Sequence, residues 1–125
     1  MKGIFPSTLA KPMGHYSPAV VHNGFVFVSG QLPADNEGNV ILGTVEGQTL
    51  LCLKRISTIL KSANSSVSKI LKVNIFVEDI SDWSKINAVF AEFFGEHRPA
   101  RIVAPAGKLN YGCAVEIDCI AALNE

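Results

Sequence analysis

The sequence predicts an α+β sandwich, one sheet with two helices on one of its faces. Three observations carry that expectation. Residues 45–63 and 82–94 repeat apolar side chains at helical spacing. Five other stretches are short, rich in β-branched or aromatic residues, and bounded by turn residues. Their order along the chain is β-β-α-β-α-β-β, and two helices make a single layer that covers one side of a sheet.

Residues 1–15 hold Pro6, Pro12 and two glycines, so they read as loop with room for a short edge strand. Ala19–His22 and Phe25–Ser29 are apolar runs separated by Asn23-Gly24. That dipeptide marks a hairpin, because both turn positions need a positive φ. Residues 33–43 are a loop rich in Gly, Asn and Asp. In the first helix, Val45, Cys52, Leu53, Ile56, Ile59, Leu60 and Ala63 form the apolar stripe, with Thr44 as N-cap. Ile70–Val77 reads as a strand, with Leu71, Val73, Ile75 and Val77 on one face and Lys72, Asn74 and Phe76 on the other. The second helix has Ser81 as N-cap, Gly95 as its stop, and Trp83, Ile86, Phe90, Phe93 and Phe94 as its buried stripe. A short strand follows Arg101. The last strand, Cys113–Ala122, puts Val115, Ile117, Cys119 and Ala121 on one face and Glu116, Asp118 and Ile120 on the other. Phe76 and Ile120 are left on the face the helices do not cover, the kind of surface that meets another subunit.

The 125 residues suit one domain spanning 1–125. A chain of this size buries roughly two-thirds of its unfolded surface, enough for a core without disulfide or metal. Eleven basic and eleven acidic residues cancel, and no long run of like charge marks a nucleic-acid or anionic-membrane surface. The three cysteines lack metal or redox spacing, and Cys113 and Cys119 fall about 20 Å apart along one strand. They are expected to be reduced core residues. No signal-peptide pattern opens the chain, and no apolar run reaches the ~20 residues of a membrane span. These features point to a cytoplasmic protein.

Among residues able to do chemistry, Arg101 stands out. A permanent charge opens the apolar pair Ile102-Val103, directly after the stiff Pro99-Ala100. Such a charge needs a partner, either a carboxylate within the protein or one from outside. A guanidinium offers two parallel N–H donors at carboxylate spacing. Glu116 and Asp118 share the more polar face of the last strand, and periodicity does not choose between them as an acid that positions or deprotonates water. Tyr16 in "GHYS" reads as a rim or pocket phenol. Gly30 in "VSGQ" reads as a strand-end turn or a place where a ligand approaches the backbone. Asn87 sits just beyond the second helix's buried stripe. His15 and His97 read as loop residues and Trp83 as core. No metal-ligand spacing, nucleophile triad or phosphate-binding glycine pattern is present.

Taken together, "GHYSPAV", "FVFVSGQLP", "VNIFVEDISDWSKINAVFAEFF", "RPAR" and "AVEIDCIA" resemble the RidA family, also called YjgF. They occur in the family's order and span nearly the whole chain. The resemblance implies a chorismate-mutase-like fold with one mixed sheet, and a homotrimer with three clefts between neighbouring subunits. It implies hydrolysis of reactive 2-imino acids or enamines to 2-oxo acids and ammonia, without cofactor or metal. Arg101 matches the arginine that holds the substrate carboxylate. Glu116 matches the acid that orients water, which favours it over Asp118. Tyr16, Ser29, Gly30 and Asn87 match pocket positions. Ile102 and Val103 stand where the family often has Ser-Cys or Ser-Thr, and His15, Pro18 and Tyr111 also depart from its pattern. Two alternatives remain open: a ribonuclease or translation inhibitor, described for family members, and a trimer that binds small carboxylates without chemistry.

Overall fold

A computed structural model of the chain describes residues 1–125. Six strands and two helices follow one another as β1 (Lys2–Ile4), β2 (Ala19–His22), β3 (Phe25–Gln31), α1 (Val45–Ser62), β4 (Ile70–Val77), α2 (Trp83–Phe94), β5 (Ala100–Pro105) and β6 (Val115–Ala122). They form one mixed sheet in the order β1-β2-β3-β6-β4-β5. Every neighbouring pair is antiparallel except β4–β5, whose connection runs through α2. The α+β architecture expected from the sequence is present, with β1 at one edge of the sheet and β5 at the other.

The local chemistry explains the elements. Asn23 (φ 50°) and Gly24 (φ 83°) close the β2–β3 hairpin. Thr44 caps α1, its Oγ1 accepting from the Gly47 N–H at 3.0 Å. Gly95, at φ 63°, ends α2 in a conformation costly for a side chain. Both helices pack on one sheet face. Leu53, Ile56, Ile59 and Leu60 of α1, with Ile86 and Phe90 of α2, meet Val26, Val73, Ile75, Val115 and Ile117 from the sheet.

Four local expectations are corrected. Leu71 does not share the buried face. The β4–β6 register shifts between Ile70 and Lys72, which buries Ile70 and turns Leu71 to solvent. Ser81 is not a cap. Asp79 accepts from the Ser81 N–H at 2.9 Å and opens a 3₁₀ turn, Ile80–Asp82, that leads into α2. β6 begins two residues later than expected, because Cys113 and Ala114 still belong to the turn before it. Trp83 is not core. At the first turn of α2 it stays 44% exposed beside the sheet edge. All three cysteines are free thiols and buried.

The second face of the sheet carries Phe25, Phe27, Phe76, Ile102 and Ile120, between Asn74, Glu116 and Asp118. No helix lies over it. Phe27 and Ile102 are 44% and 51% exposed in the single chain.

Candidate functional site

Arg101 lies in β5, an edge strand, opposite Val73 of β4. Val73 faces the helices, so Arg101 does as well, and there it meets α2. Its Nη1 donates to Asn87 Oδ1 at 2.9 Å. Its guanidinium carbon sits 5.4 Å from the centre of the Trp83 ring and 5.0 Å from that of Phe90. The cation is thus steered by a neutral amide and two aromatic faces. No Asp or Glu pairs with it; the chain's one such pair is Lys85 with Asp82, at 3.9 Å. The remaining N–H groups of the fork are uncommitted. The spacing of Trp83, Asn87 and Phe90 explains the cradle, since residues three and four apart share a helix face.

Glu116 lies in β6, opposite Phe76 of β4, on the open face. Its neighbour across the sheet is the irregular end of β3, where the β3–β6 register shifts between Val28 and Gln31. That bulge holds Ser29 and Gly30. A Cβ on Gly30 would collide with Glu116 Oε2, so only a glycine lets the carboxyl lie flat on the backbone there. Partial burial holds the Glu116 carboxyl above the usual carboxylate pKa, and the charge of Asp118 adds to the rise. Asp118 is engaged differently: its Oδ1 accepts from Asn74 Nδ2 at 2.8 Å. None of the chain's side-chain hydrogen bonds ends on Glu116. Of the two acids that periodicity left level, Glu116 is the one whose oxygens are free.

The other candidates divide between these two places. Ser29 Oγ donates to the Ser17 carbonyl at 2.6 Å, which ties the loop carrying Tyr16 to the Glu116 side. Tyr16 is exposed, and its ring lies over Gly14, where a Cβ would come within 2.9 Å of Cε2. Val103 shares the face of Arg101, whereas Ile102 points to the open face. His15 lies in the loop before β2, while the ring of His97 meets the Ile70 carbonyl at 2.8 Å. No group of three or more His, Cys, Asp or Glu side chains is placed to hold a metal ion.

The two principal residues do not meet within one chain. They lie on opposite faces of the sheet, with β4 between their strands. A hollow of about 420 Å³ lies elsewhere, between α1 and α2, and is lined by Glu46, Leu50, Val89, Glu92 and Phe93 with Gly47. None of the candidate residues borders it.

The comparison with known proteins is consistent along the whole fold. The sequence pattern described as endoribonuclease L-PSP matches residues 7–123. The chain belongs to this family, also called RidA or YjgF. It is similar to a RutC family protein of Pyrococcus horikoshii, 37% identical over 119 residues that make up 94% of each chain. It is similar to protein mmf2, mitochondrial, of Schizosaccharomyces pombe, at 41% identity over 87% of this chain and 88% of the relative. Among solved structures, a Rid family protein of Yersinia pestis superposes with a TM-score of 0.92, at 32% identity and 98% coverage of both chains. Escherichia coli TdcF with bound serine superposes with a TM-score of 0.91, at 30% identity, over 99% of this chain and all of the other.

One further polar residue of this RidA-family chain is drawn into the fold, part-buried and hydrogen-bonded. Arg55 sits in α1 three residues after Cys52 and four before Ile59, on the apolar stripe itself. A charge within such a stripe was the signal.

Proposed function

We propose that the chain hydrolyses reactive 2-imino acids and their enamines to 2-oxo acids and ammonia. The observation that carries this reading is the fork of Arg101, aimed by Asn87, Trp83 and Phe90 yet paired with no carboxylate of the chain. It is preorganised for a carboxylate from outside. Since Arg101 and Glu116 occupy opposite sheet faces, their joint action needs two copies, one offering the fork and the next offering the acid. The apolar open face supplies the reason to associate, and a homotrimer with three equivalent clefts satisfies both. The solved TdcF complex supports the reading, because serine bears an α-carboxylate of the kind Arg101 is built to hold.

In this mechanism Arg101 fixes the substrate carboxylate and Glu116 places a water against the C=N carbon. Glu116 takes a proton from the water as its oxygen bonds to that carbon, and the C=N electron pair moves to nitrogen. Glu116 returns that proton to nitrogen, and the hydroxyl proton of the carbinolamine follows it as the C=O bond forms and the C–N bond breaks, which releases ammonia and the 2-oxo acid. Orientation and one base suffice, because free imines already react with water. Val103 narrows the space beside the fork where a polar side chain is common in the family, and Ile102 belongs to the contact between copies. No helix is long and apolar enough to cross a membrane, and the mmf2 relative is named mitochondrial.

The test generates 2-iminobutanoate with a threonine dehydratase in the presence of semicarbazide, which traps the imine. The chain is expected to suppress semicarbazone formation in proportion to its concentration. Unchanged trapping with this imine and with the alanine-derived one overturns the reading. A smaller effect is expected at the cradle. Trp83→Ala removes one ring from Arg101 and should weaken binding of 2-oxobutanoate about fivefold, read by calorimetry, in line with a cation–π contact of about 1 kcal/mol.

The family description favours RNA cleavage as a second reading. Binding through phosphates collapses as salt rises, and a zero formal net charge offers little for it. Ribonuclease activity that survives repurification and falls steeply between low and physiological salt would support it over the deaminase.

A further inference from the structure

A half-buried cation stands behind the Glu116 side of the sheet, and no ion pair explains it. Arg55 of α1 donates through Nε to Gln31 Oε1 at 3.0 Å and through Nη1 to the Asp35 carbonyl at 2.7 Å. Both acceptors are neutral. The carboxylate of Asp35 is turned away, accepting from the backbone N–H groups of Glu37 and Asn39. Gln31 is 5% exposed, and its Nε2 donates to the Ser29 carbonyl at 3.1 Å. Ser29 in turn holds the Ser17 carbonyl through its hydroxyl.

The direction of this chain of bonds is fixed by chemistry. A guanidinium only donates, so the amide oxygen of Gln31 must face Arg55. The amide nitrogen is then obliged to face Ser29. Ser29 and Gly30 form the bulge against which the carboxyl of Glu116 lies. A lysine offers one point of charge and cannot reach two acceptors in a fixed fork. We propose that Arg55 is a positioning residue for Glu116, acting through Gln31 to hold the Ser29–Gly30 bulge at the height the carboxyl requires. The assignment rests on Glu116 being the group that places the water. It gives the bulge a cause outside its own strand, since the hydrogen bonds come from α1 on the helix side while the acid they serve lies on the open side.

The test compares wild type, Arg55→Met and the double variant Arg55→Met/Gln31→Leu. The double variant leaves no buried side-chain amide facing a lost guanidinium, only the Asp35 and Ser29 carbonyls short of one donor each, so it folds even where the single one is poorly stable. Three quantities are read: the Kd for 2-oxobutanoate, the suppression of semicarbazone formation, and the backbone amide signal of Gly30 by NMR. Both variants are expected to keep the Kd within about twofold, because Arg101 is untouched, and to lose about tenfold in turnover through misplacement of the acid. The Gly30 signal shifts in both. The double variant is no slower than the single one, since both cut the same chain of bonds. A folded double variant with wild-type turnover overturns the proposal, whether or not Gly30 moves. Should wild type itself lack turnover, the deaminase reading falls and the Gly30 signal decides alone. Unmoved, it overturns the strut; shifted in both variants, it upholds Arg55 as the support of the Gly30–Glu116 contact.

Discussion

Arg101→Ala is expected to lose about 100-fold in affinity for 2-oxobutanoate and at least as much in imine turnover, close to 3 kcal/mol for a charge-assisted pair that loses one partner. Arg101→Lys keeps the charge but not the planar fork, and should recover about tenfold of that loss and no more. Calorimetry with the 2-oxo acid and the semicarbazide assay read the two effects. Stability separates this outcome from unfolding. Arg101 has no carboxylate partner in the chain, so its removal leaves no buried anion uncompensated, and Tm should fall by only a few degrees as the two ring contacts are lost. Arg101→Ala binding 2-oxobutanoate as wild type does would remove the carboxylate from this site and the deaminase with it.

The sequence disclosed this residue for a physical reason. A permanent charge next to Pro99 at the start of an apolar strand is conspicuous in one dimension, and so is the alternation that isolates Glu116 among Val115, Ile117 and Cys119. The helices were legible because their stripes are long and the Thr44 cap and Gly95 stop are chemically specific. The edges were less so. Leu71 fits the strand alternation, yet a bulge set by pairing with β6 reverses which of Ile70 and Leu71 is buried. Trp83 fits the α2 stripe, yet the stripe runs past the sheet edge at its first turn and leaves the indole over Arg101. Face was the property hardest to see. Whether Arg101 looks toward the helices depends on its parallel register with Val73, and register between strands distant in sequence leaves no trace in either one. That is why the residues alone offered Arg101 and Glu116 as separate candidates, with nothing to say that the fold sets them on opposite sides of a sheet. The Arg55–Gln31–Ser29 chain was hidden likewise, since its members are 24 and 2 residues apart and meet only when α1 packs over β3.

Glu116→Gln should separate function from stability. Partial burial and the Asp118 charge raise the pKa of Glu116, so the folded chain holds that proton to a higher pH than the unfolded chain does. Between the unfolded value, about 4.3 for a free glutamate, and the raised folded one, the folded state binds more protons, and stability falls as pH rises. Above the folded pKa the ionised carboxyl is a standing cost, with no side-chain donor to offset it. The amide of glutamine is nearly isosteric and uncharged. Glu116→Gln is therefore expected to raise Tm at pH 7 by about 2 °C, a size discounted for the solvent that still screens the group, and to lose that advantage below about pH 4. Turnover moves the other way, falling about 100-fold as the base is removed. In the wild-type chain the rate should climb with pH as Glu116 ionises, with its lower limb above the range of an ordinary carboxylate, and in Glu116→Gln that limb should be absent. Thermal unfolding at pH 7 and pH 4, with the semicarbazide assay across the same range, reads all of this. A variant that is both slower and less stable at pH 7 would place Glu116 among residues that merely support the sheet. One that is slower yet more stable has the signature of a group kept for chemistry at the expense of the fold.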